Sequence, residues 1–275
     1  MDGPVAYVLG GGGVLGAVEV GMLRALLEAG RKPDIIVGTS IGAVNGVLVA
    51  AEPSESVVRR LAHLWTSPQA REVFGDSVPR QVARIARAGT HLHSAEPLRR
   101  MLADQLRGVR TFEDLPVRFE CCAANIERAA EHWFTSGPLV DAVLASSAVP
   151  GLLPPVHLGG EHFIDGGIVN SIPIGRAVLA GARTVFVLQV GRIDRPLVAP
   201  RNVLDVARVA FEIARRHRYA RELADVPEGV AVHVLPSGGG SARDDSPLAY
   251  RDLRAATARI ARAYRASASY LADHQ

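Results

Sequence analysis

The stretch Gly38-Thr39-Ser40-Ile41-Gly42 decides the fold that this sequence predicts. It lies between the apolar run Asp34-Ile35-Ile36-Val37 and a second apolar run from Ala43 to Ala50, which indicates a strand, a tight turn and a helix. A serine at the tip of such a turn adopts a strained backbone conformation, and glycines two residues to either side let the strand and helix approach closely enough to form it. The hydroxyl then lies beside a helix N-terminus, which favours developing negative charge. The stretch therefore predicts that Ser40 is a nucleophile.

A glycine-rich run, Gly10-Gly11-Gly12-Gly13-Val14-Leu15-Gly16, follows a predicted buried strand at Val5–Leu9. Its pattern Gly11-x-Gly13-x-x-Gly16 matches the dinucleotide-binding fingerprint, which also expects an acidic residue near the far end of the second strand. Asp34 instead stands at the beginning of that strand. We therefore favour a different use of the same geometry, in which the backbone N–H groups form an anion cradle for the oxyanion of an ester hydrolase.

An acidic residue at the end of a later predicted strand is the second candidate for chemistry. Asp165 follows Phe163 and Ile164 and precedes Gly166 and Gly167. A carboxylate in this position can project into a site that is surrounded by free backbone. A turn-forming Asp-Gly pair explains the same residues without any function, and the local sequence on its own favours that simpler explanation.

Four sequence blocks in a fixed order, spread over about 160 residues, carry a family resemblance. The set resembles the patatin-like phospholipases, specifically their compact bacterial branch; the blocks are Gly11–Gly16, Gly38–Ala43, Ala145–Pro150 and Asp165–Gly167. The resemblance implies a serine acyl hydrolase that uses a Ser–Asp dyad in place of a triad. It implies no cofactor and no metal.

The resemblance also implies roles for individual residues. Ser40 would be the nucleophile, Asp165 the general base, and the backbone amides of Gly11 to Gly13 the oxyanion hole. The other motif glycines would shape the elbow and the loops; they are Gly16, Gly38, Gly42, Gly166 and Gly167. One departure from the family pattern is Leu15, which stands where the family often has arginine or lysine. We expect activity to survive this change, because the oxyanion donors are backbone groups, but with less positive potential near the substrate headgroup.

Composition limits the classes of partner. The chain has 275 residues, 48% of them hydrophobic, and a net charge of +3, which implies no nucleic-acid partner. The adjacent Cys121 and Cys122 lie in an apolar stretch and suit a reduced, cytoplasmic core strand better than a disulfide or a metal site. No secretory signal is visible, and no run of 18 or more apolar residues occurs. We therefore expect a cytoplasmic protein whose contact with a membrane, at its inner face, is peripheral.

One predicted helix is a candidate for such a contact. Between Val78 and Arg87 a narrow apolar stripe faces three arginines, and a basic amphipathic helix suits anionic headgroups. An ordinary solvated helix explains the pattern equally well, and we favour it. Towards the C-terminus, Val203 to Leu223 predicts a long helix with Val206, Val209, Ala210 and Ile213 on one side and arginines towards its end.

We expect one domain over residues 1–275, with a motif-bearing core at about 5–190 and a closing strand and helices at about 200–272. The predicted fold is an α/β three-layer sandwich, in which helices cover both faces of a central, mostly parallel sheet. The predicted function is hydrolysis of lipid carboxylic esters, of a phospholipid or lysophospholipid, through an acyl-enzyme. Two alternatives stay open: an α/β-hydrolase triad with its base at His217, His233 or His274, and a non-catalytic lipid- or nucleotide-binding protein. The sequence leaves the oligomeric state open.

Overall fold

The computed structural model describes residues 3–74, 90–190, 196–200, 203–239 and 255–274. The predicted amphipathic stretch between Val78 and Arg87 lies outside these residues. Within them, the strands are β1 (Val5–Leu9), β2 (Ile35–Thr39), β3 (Arg118–Asn125), β4 (Ala130–Phe134), β5 (Val156–Leu158), β6 (Glu161–Asp165), β7 (Thr184–Leu188) and β8 (Ala231–Val234). The helices are α1 (Ala17–Glu28), α2 (Ile41–Ala51), α3 (Glu55–Thr66), α4 (Pro68–Phe74), α5 (Glu96–Leu106), α6 (Leu139–Ser146), α7 (Ile174–Leu179), α8 (Val203–Ala224) and α9 (Ala256–Asp273).

The described strands form one mixed sheet in the order β5-β6-β3-β2-β1-β7-β8, with β4 also pairing with β3. Strands β3, β2, β1, β7 and β8 are parallel, whereas β4 and β6 run antiparallel to β3, and β5 runs antiparallel to β6. The central parallel strands are almost wholly buried, as their continuous apolar runs predict. The predicted α/β fold with a mostly parallel sheet is confirmed.

Side chains alternate between the two faces of the sheet, and each face has its own core. On β1, Tyr7 and Leu9 belong to the larger core, which packs against α1, α2, α3, α5, α6 and α9. Ala6 and Val8 point to the opposite face and join a smaller core with residues of α7 and with Tyr219 of α8. The result is three layers, with helices covering both faces of the sheet.

The register of β3 brings two distant parts of the chain together. On one side of β3, Cys122 is paired with Thr39, the last residue of β2. On its other side, Ala123 is paired with Asp165, the last residue of β6. Because Cys122 and Ala123 are neighbours, Ser40 and Asp165 emerge next to each other at this part of the sheet.

Candidate active site

The turn between β2 and α2 has the geometry of a nucleophile elbow. Ser40 adopts φ 57° and ψ −124°, a positive φ that a side-chain-bearing residue rarely adopts and that typically costs about 1–3 kcal/mol. The turn is also crowded: a Cβ at Gly38 would lie 2.7 Å from the carbonyl oxygen of Gly42, and a Cβ at Gly42 would overlap the carbonyl oxygen of Leu9. Glycine at both positions is therefore what lets β2 and α2 pass closely enough to present the serine.

Ser40 and Asp165 are in direct contact. The Ser40 hydroxyl donates to Asp165, with 2.6 Å between Oγ and Oδ2, and both residues are buried. The other carboxylate oxygen, Oδ1, accepts from the backbone N–H of Gly167 at 2.7 Å. Close packing explains the two glycines after Asp165, since a Cβ at Gly166 would overlap the carbonyl of Cys122 and one at Gly167 would lie 2.9 Å from Asp165 Oδ1.

The glycine-rich loop lies directly beside Ser40. A Cβ at Gly11 would lie 3.4 Å from the Ser40 Cβ, and a Cβ at Gly16 would overlap Ile41. The N–H of Gly11 donates to the carbonyl of Ser171 at 3.0 Å, so this amide already has a partner. Within the described residues, the amides of Gly12 and Gly13 donate to no backbone carbonyl. The oxyanion hole at Gly11 to Gly13 stays a prediction, and Gly12 and Gly13 are its members whose amides have no backbone acceptor in the described part of the chain.

The sequence that carries this serine–aspartate pair matches a known family. The family model for patatin-like phospholipases matches residues 7–178, which is more than half of the chain. The chain belongs to the patatin-like phospholipase family. The family model therefore confirms that the sequence motifs resemble the patatin-like phospholipase family.

Individual relatives of this patatin-like chain are much longer proteins. It is 34% identical over 192 residues to patatin-like phospholipase domain-containing protein ZK370.4 of Caenorhabditis elegans, covering 69% of this chain and 14% of that protein. It is 30% identical over 204 residues to lysophospholipase nte1 of Aspergillus terreus, covering 69% of this chain and 12% of that protein. The chain therefore spans less than a sixth of the length of these relatives.

A solved structure supports the patatin-like fold. The crystal structure of VipD from Legionella pneumophila superposes with a TM-score of 0.52 at 15% sequence identity, covering 100% of this chain and 67% of that chain. At this identity the similarity concerns the fold alone.

Two serines of the patatin-like site have no role in the sequence predictions. Ser146, at the end of α6, accepts a hydrogen bond from the Ser40 N–H at 3.0 Å, and the Ser147 hydroxyl donates to the Ser40 carbonyl at 3.1 Å. The carbonyl of Ala148 accepts from the Asp165 N–H at 2.9 Å. This segment thus braces both members of the serine–aspartate pair. Its signal in the sequence was the block Ala145–Pro150, which contributed to the resemblance but suggested no contact.

The carboxyl group of Asp165 has unusual electrostatics. Burial raises the pKa of Asp165 to about 6, against the opposing effect of the hydrogen bonds from Ser40 and Gly167. The carboxylate is therefore the major form at neutral pH, and it is a stronger base than an exposed aspartate. A base with a pKa close to the working pH is well suited to accepting and returning a proton.

The histidines of the alternative triad lie elsewhere. His233 is on β8, separated from β2 in the sheet by β7 and β1, and its Nδ1 lies 3.2 Å from the Tyr270 hydroxyl. The ring of His274 stacks on Tyr270 at 4.0 Å between ring centroids. His217 is exposed on α8. Ser40 instead has a carboxylate as its direct hydrogen-bond partner.

An apolar cavity lies beside α2, the helix that begins after Ser40. It is small, with a volume of about 20 Å³, and is lined by Ile41, Val44, Asn45, Leu64, Trp65, Ala70, Leu98 and Met101. Apart from Asn45, these lining side chains are apolar or aromatic. Such a wall suits a hydrocarbon chain.

Metal ligands and membrane-spanning helices are the remaining features of interest. Among the described residues, no cluster of three or more histidine, cysteine, aspartate or glutamate side chains has the arrangement of a metal site. In the same residues, no helix has the length and apolar character to cross a bilayer. Cys121 and Cys122 are both buried free thiols on β3.

Proposed function

We propose that this protein hydrolyses carboxylic esters of lipids, with Ser40 as nucleophile and Asp165 as the only general base. The observation that carries the proposal is the 2.6 Å hydrogen bond from Ser40 Oγ to Asp165 Oδ2 on a strained elbow. Serine is a weak nucleophile unless a base lies within hydrogen-bond reach. Family membership supports the reaction class, and phospholipids or lysophospholipids are the proposed substrates.

In the proposed cycle, Asp165 accepts the Ser40 proton while the Ser40 oxygen attacks the ester carbonyl. The amides of Gly12 and Gly13 stabilise the resulting oxyanion. When the tetrahedral intermediate collapses, the alcohol leaves with the proton from Asp165, and the acyl group stays on Ser40. Asp165 then removes a proton from water, which attacks the acyl-enzyme. When this second intermediate collapses, Asp165 returns the proton to the Ser40 oxygen, and the fatty acid is released. Removing one oxyanion donor typically costs about 3–4 kcal/mol of barrier, so a backbone cradle can supply a large share of the rate.

The apolar wall of the small cavity beside α2 is the proposed contact surface of the acyl chain. Its lining residue Ile41 directly follows the nucleophile, and Trp65 reaches the glycine loop at Gly16. An acyl group on Ser40 could therefore extend along an apolar wall without leaving the reacting centre. The name of the Aspergillus terreus relative, a lysophospholipase, makes a single-chain phospholipid the first substrate to try.

The cellular setting belongs to the same proposal. We place the enzyme in a reducing compartment, peripheral at the inner face of the membrane that supplies its lipid. The buried free thiols Cys121 and Cys122 support such a compartment. We also propose that residues 1–275 form a single acyl hydrolase domain.

The test is hydrolysis of a short-chain nitrophenyl ester by the wild type and by Ser40→Ala, Asp165→Asn and His233→Ala, each checked for folding by circular dichroism. We expect the first two variants to be inactive and His233→Ala to retain wild-type activity. Full activity in Asp165→Asn together with loss in His233→Ala would favour a triad instead. Covalent labelling of Ser40 by a fluorophosphonate separates the hydrolase from a non-catalytic lipid-binding protein, and lysophospholipid and phospholipid vesicles then define the substrate.

A further inference from the structure

A buried arginine on α8 is bonded to the two segments that support the glycine loop. Arg215 is 6% exposed, and its Nε donates to the Ser171 hydroxyl at 3.1 Å while Nη2 donates to the Val190 carbonyl at 2.8 Å. Its Nη1 lies 3.5 Å from a carboxylate oxygen of Glu212. A buried charge is costly unless its donors are satisfied, so the position of this guanidinium depends on these acceptors.

Two of the three acceptors of Arg215, Ser171 and Val190, touch the glycine loop. The Ser171 carbonyl accepts from the Gly11 N–H, and the Ser171 hydroxyl would lie 3.2 Å from a Cβ at Gly11. The Val190 side chain packs against Gly12 so closely that a Cβ there would overlap it. One rigid, planar guanidinium therefore bridges the residues on which Gly11 and Gly12 rest.

We propose that Arg215 is a positioning residue that holds the glycine loop in the geometry that accepts the oxyanion. The inference rests on the proposed function. The hydrogen bonds of Arg215 go to Ser171, Val190 and Glu212 and not to Ser40 or Asp165, so we expect its loss to act first on the oxyanion side of the site.

A displaced loop weakens an interaction that forms in the transition state and not in the bound substrate. We expect Arg215→Gln to lower kcat by about tenfold to a hundredfold with KM little changed, less than the loss typical of deleting a donor outright. Arg215→Lys should recover only part of this activity, because an ammonium keeps the charge but lacks the guanidinium fork. Guanidinium chloride at sub-denaturing concentration should restore part of the kcat of Arg215→Ala.

The matched control is Arg216→Gln. Arg216 lies on the same helix and pairs with the same carboxylate, Glu212, at 3.3 Å, so its removal also breaks an ion pair with that group. We expect kcat and KM of this variant to equal those of the wild type. Hydrogen–deuterium exchange of the peptide that contains Gly10–Gly16 gives a second readout, and exchange should be faster in Arg215→Gln than in Arg216→Gln.

The outcomes separate the two proposals. If the wild type hydrolyses no ester, the proposed function fails, and loop exchange alone then decides whether Arg215 positions the loop. If Arg215→Gln and Arg216→Gln share the same kcat and the same loop exchange, the role of Arg215 is wrong even in an active enzyme. If Arg215→Gln does not fold, Ser171→Ala is the second variant, because it removes one acceptor of the guanidinium. Faster hydrogen–deuterium exchange of the loop and a severalfold lower kcat in Ser171→Ala support the proposal. Wild-type values of both overturn it.

Discussion

The side-chain amide of Asn45 donates to the carboxyl of Glu19, with 2.7 Å between Nδ2 and Oε2, and so joins α2, which begins after Ser40, to α1, which follows the glycine loop. The same Nδ2 donates to the carbonyl of Gly16 at 3.0 Å, and the Trp65 indole donates to Asn45 Oδ1 at 3.2 Å. Glu19 and Asn45 are both fully buried. The side-chain amide of Asn45 thus links α2, the glycine loop and Trp65 in the wall of the cavity.

Replacing Asn45 should destabilise the fold. Asn45→Leu removes the donor to Glu19 and Gly16, and leaving buried polar groups without it should lower the free energy of unfolding by about 3 kcal/mol. Burial raises the pKa of Glu19 well above its usual value, which favours the neutral carboxyl, and Glu19→Gln keeps an oxygen acceptor for Asn45 and should cost less than about 1 kcal/mol. Urea denaturation at pH 7 measures both variants. An Asn45→Leu variant as stable as Glu19→Gln would contradict this account of the network.

The activity should depend on a single carboxylate. Because burial raises the pKa of Asp165 to about 6, kcat/KM should fall tenfold per pH unit well below pH 6, as the base becomes protonated. Substituting the histidines one at a time should leave this acidic limb in place. A pH–rate profile of the wild type and the histidine series checks the prediction, and a limb that disappears with one particular histidine would show that the base is that histidine.

The same carboxyl should make stability depend on pH. The pKa of Asp165 is about 6 in the folded chain and near 3.8 when exposed, so the folded state binds the proton more tightly. Its stabilising contribution is therefore fully present below pH 3.8 and is lost as the pH rises through 6. At 1.36 kcal/mol per pKa unit the loss is on the order of 3 kcal/mol. The asparagine of Asp165→Asn does not titrate. Between pH 4 and pH 8, the unfolding free energy of the wild type should therefore fall further than that of the variant, by an amount on the order of 3 kcal/mol. Equal changes in both proteins, measured by urea denaturation, would show that the folded carboxyl has an ordinary pKa.

A structural feature can be predicted from the sequence when the residues that determine it lie close together in the chain. The elbow at Ser40 is set by the sterics of residues 38–42, and its pattern is visible in the sequence. The sequence predicts Val206 and Ile213 on the apolar side of this helix and arginines towards its end, yet Arg215 is buried, whereas Val206 and Ile213 are about half exposed. Helical periodicity shows which residues share a side of α8, but it does not show which side is buried. The burial of Arg215 depends on Ser171 and Val190, acceptors that are distant in the sequence.

The partner of Gly11 shows the same limit within the site. Three consecutive glycines predict free amides, because nothing nearby in sequence competes for them. The Gly11 amide donates to Ser171, which follows the Asp165 block far along the chain. Only the folded arrangement of β1 and that segment shows which glycine amides remain for a substrate.

The elbow should not tolerate a methyl group. In Gly42→Ala the new Cβ would overlap the Leu9 carbonyl, so α2 must move away from β1, and we expect a loss of at least about 3 kcal/mol in unfolding free energy and loss of esterase activity. The matched control is Gly175→Ala in α7, where the nearest atoms, those of Glu222, lie 3.4 Å from the new Cβ. This variant should be neutral or up to about 1 kcal/mol more stable, because alanine favours the helix. Thermal unfolding and nitrophenyl ester hydrolysis distinguish the two, and an active Gly42→Ala enzyme would contradict the packing argument.

The cavity beside α2 should set the preferred acyl chain length. Leu98 lines this cavity from α5. Leu98→Trp therefore adds the bulk of an indole to the apolar wall that is proposed to contact the acyl chain. We expect kcat/KM for a long-chain nitrophenyl ester to fall by at least about tenfold, because the chain loses a buried apolar surface worth about 0.8 kcal/mol per methylene, while hydrolysis of the acetate ester is retained. Leu179→Trp on α7, where the leucine is 82% exposed, is the same substitution outside the cavity and should leave the chain-length profile unchanged. If both variants keep the wild-type chain-length profile, the acyl chain binds elsewhere. If Leu98→Trp alone hydrolyses neither the short-chain nor the long-chain ester, the indole has disturbed Ser40 itself. The smaller substitution Ala70→Val on α4 then tests the same wall.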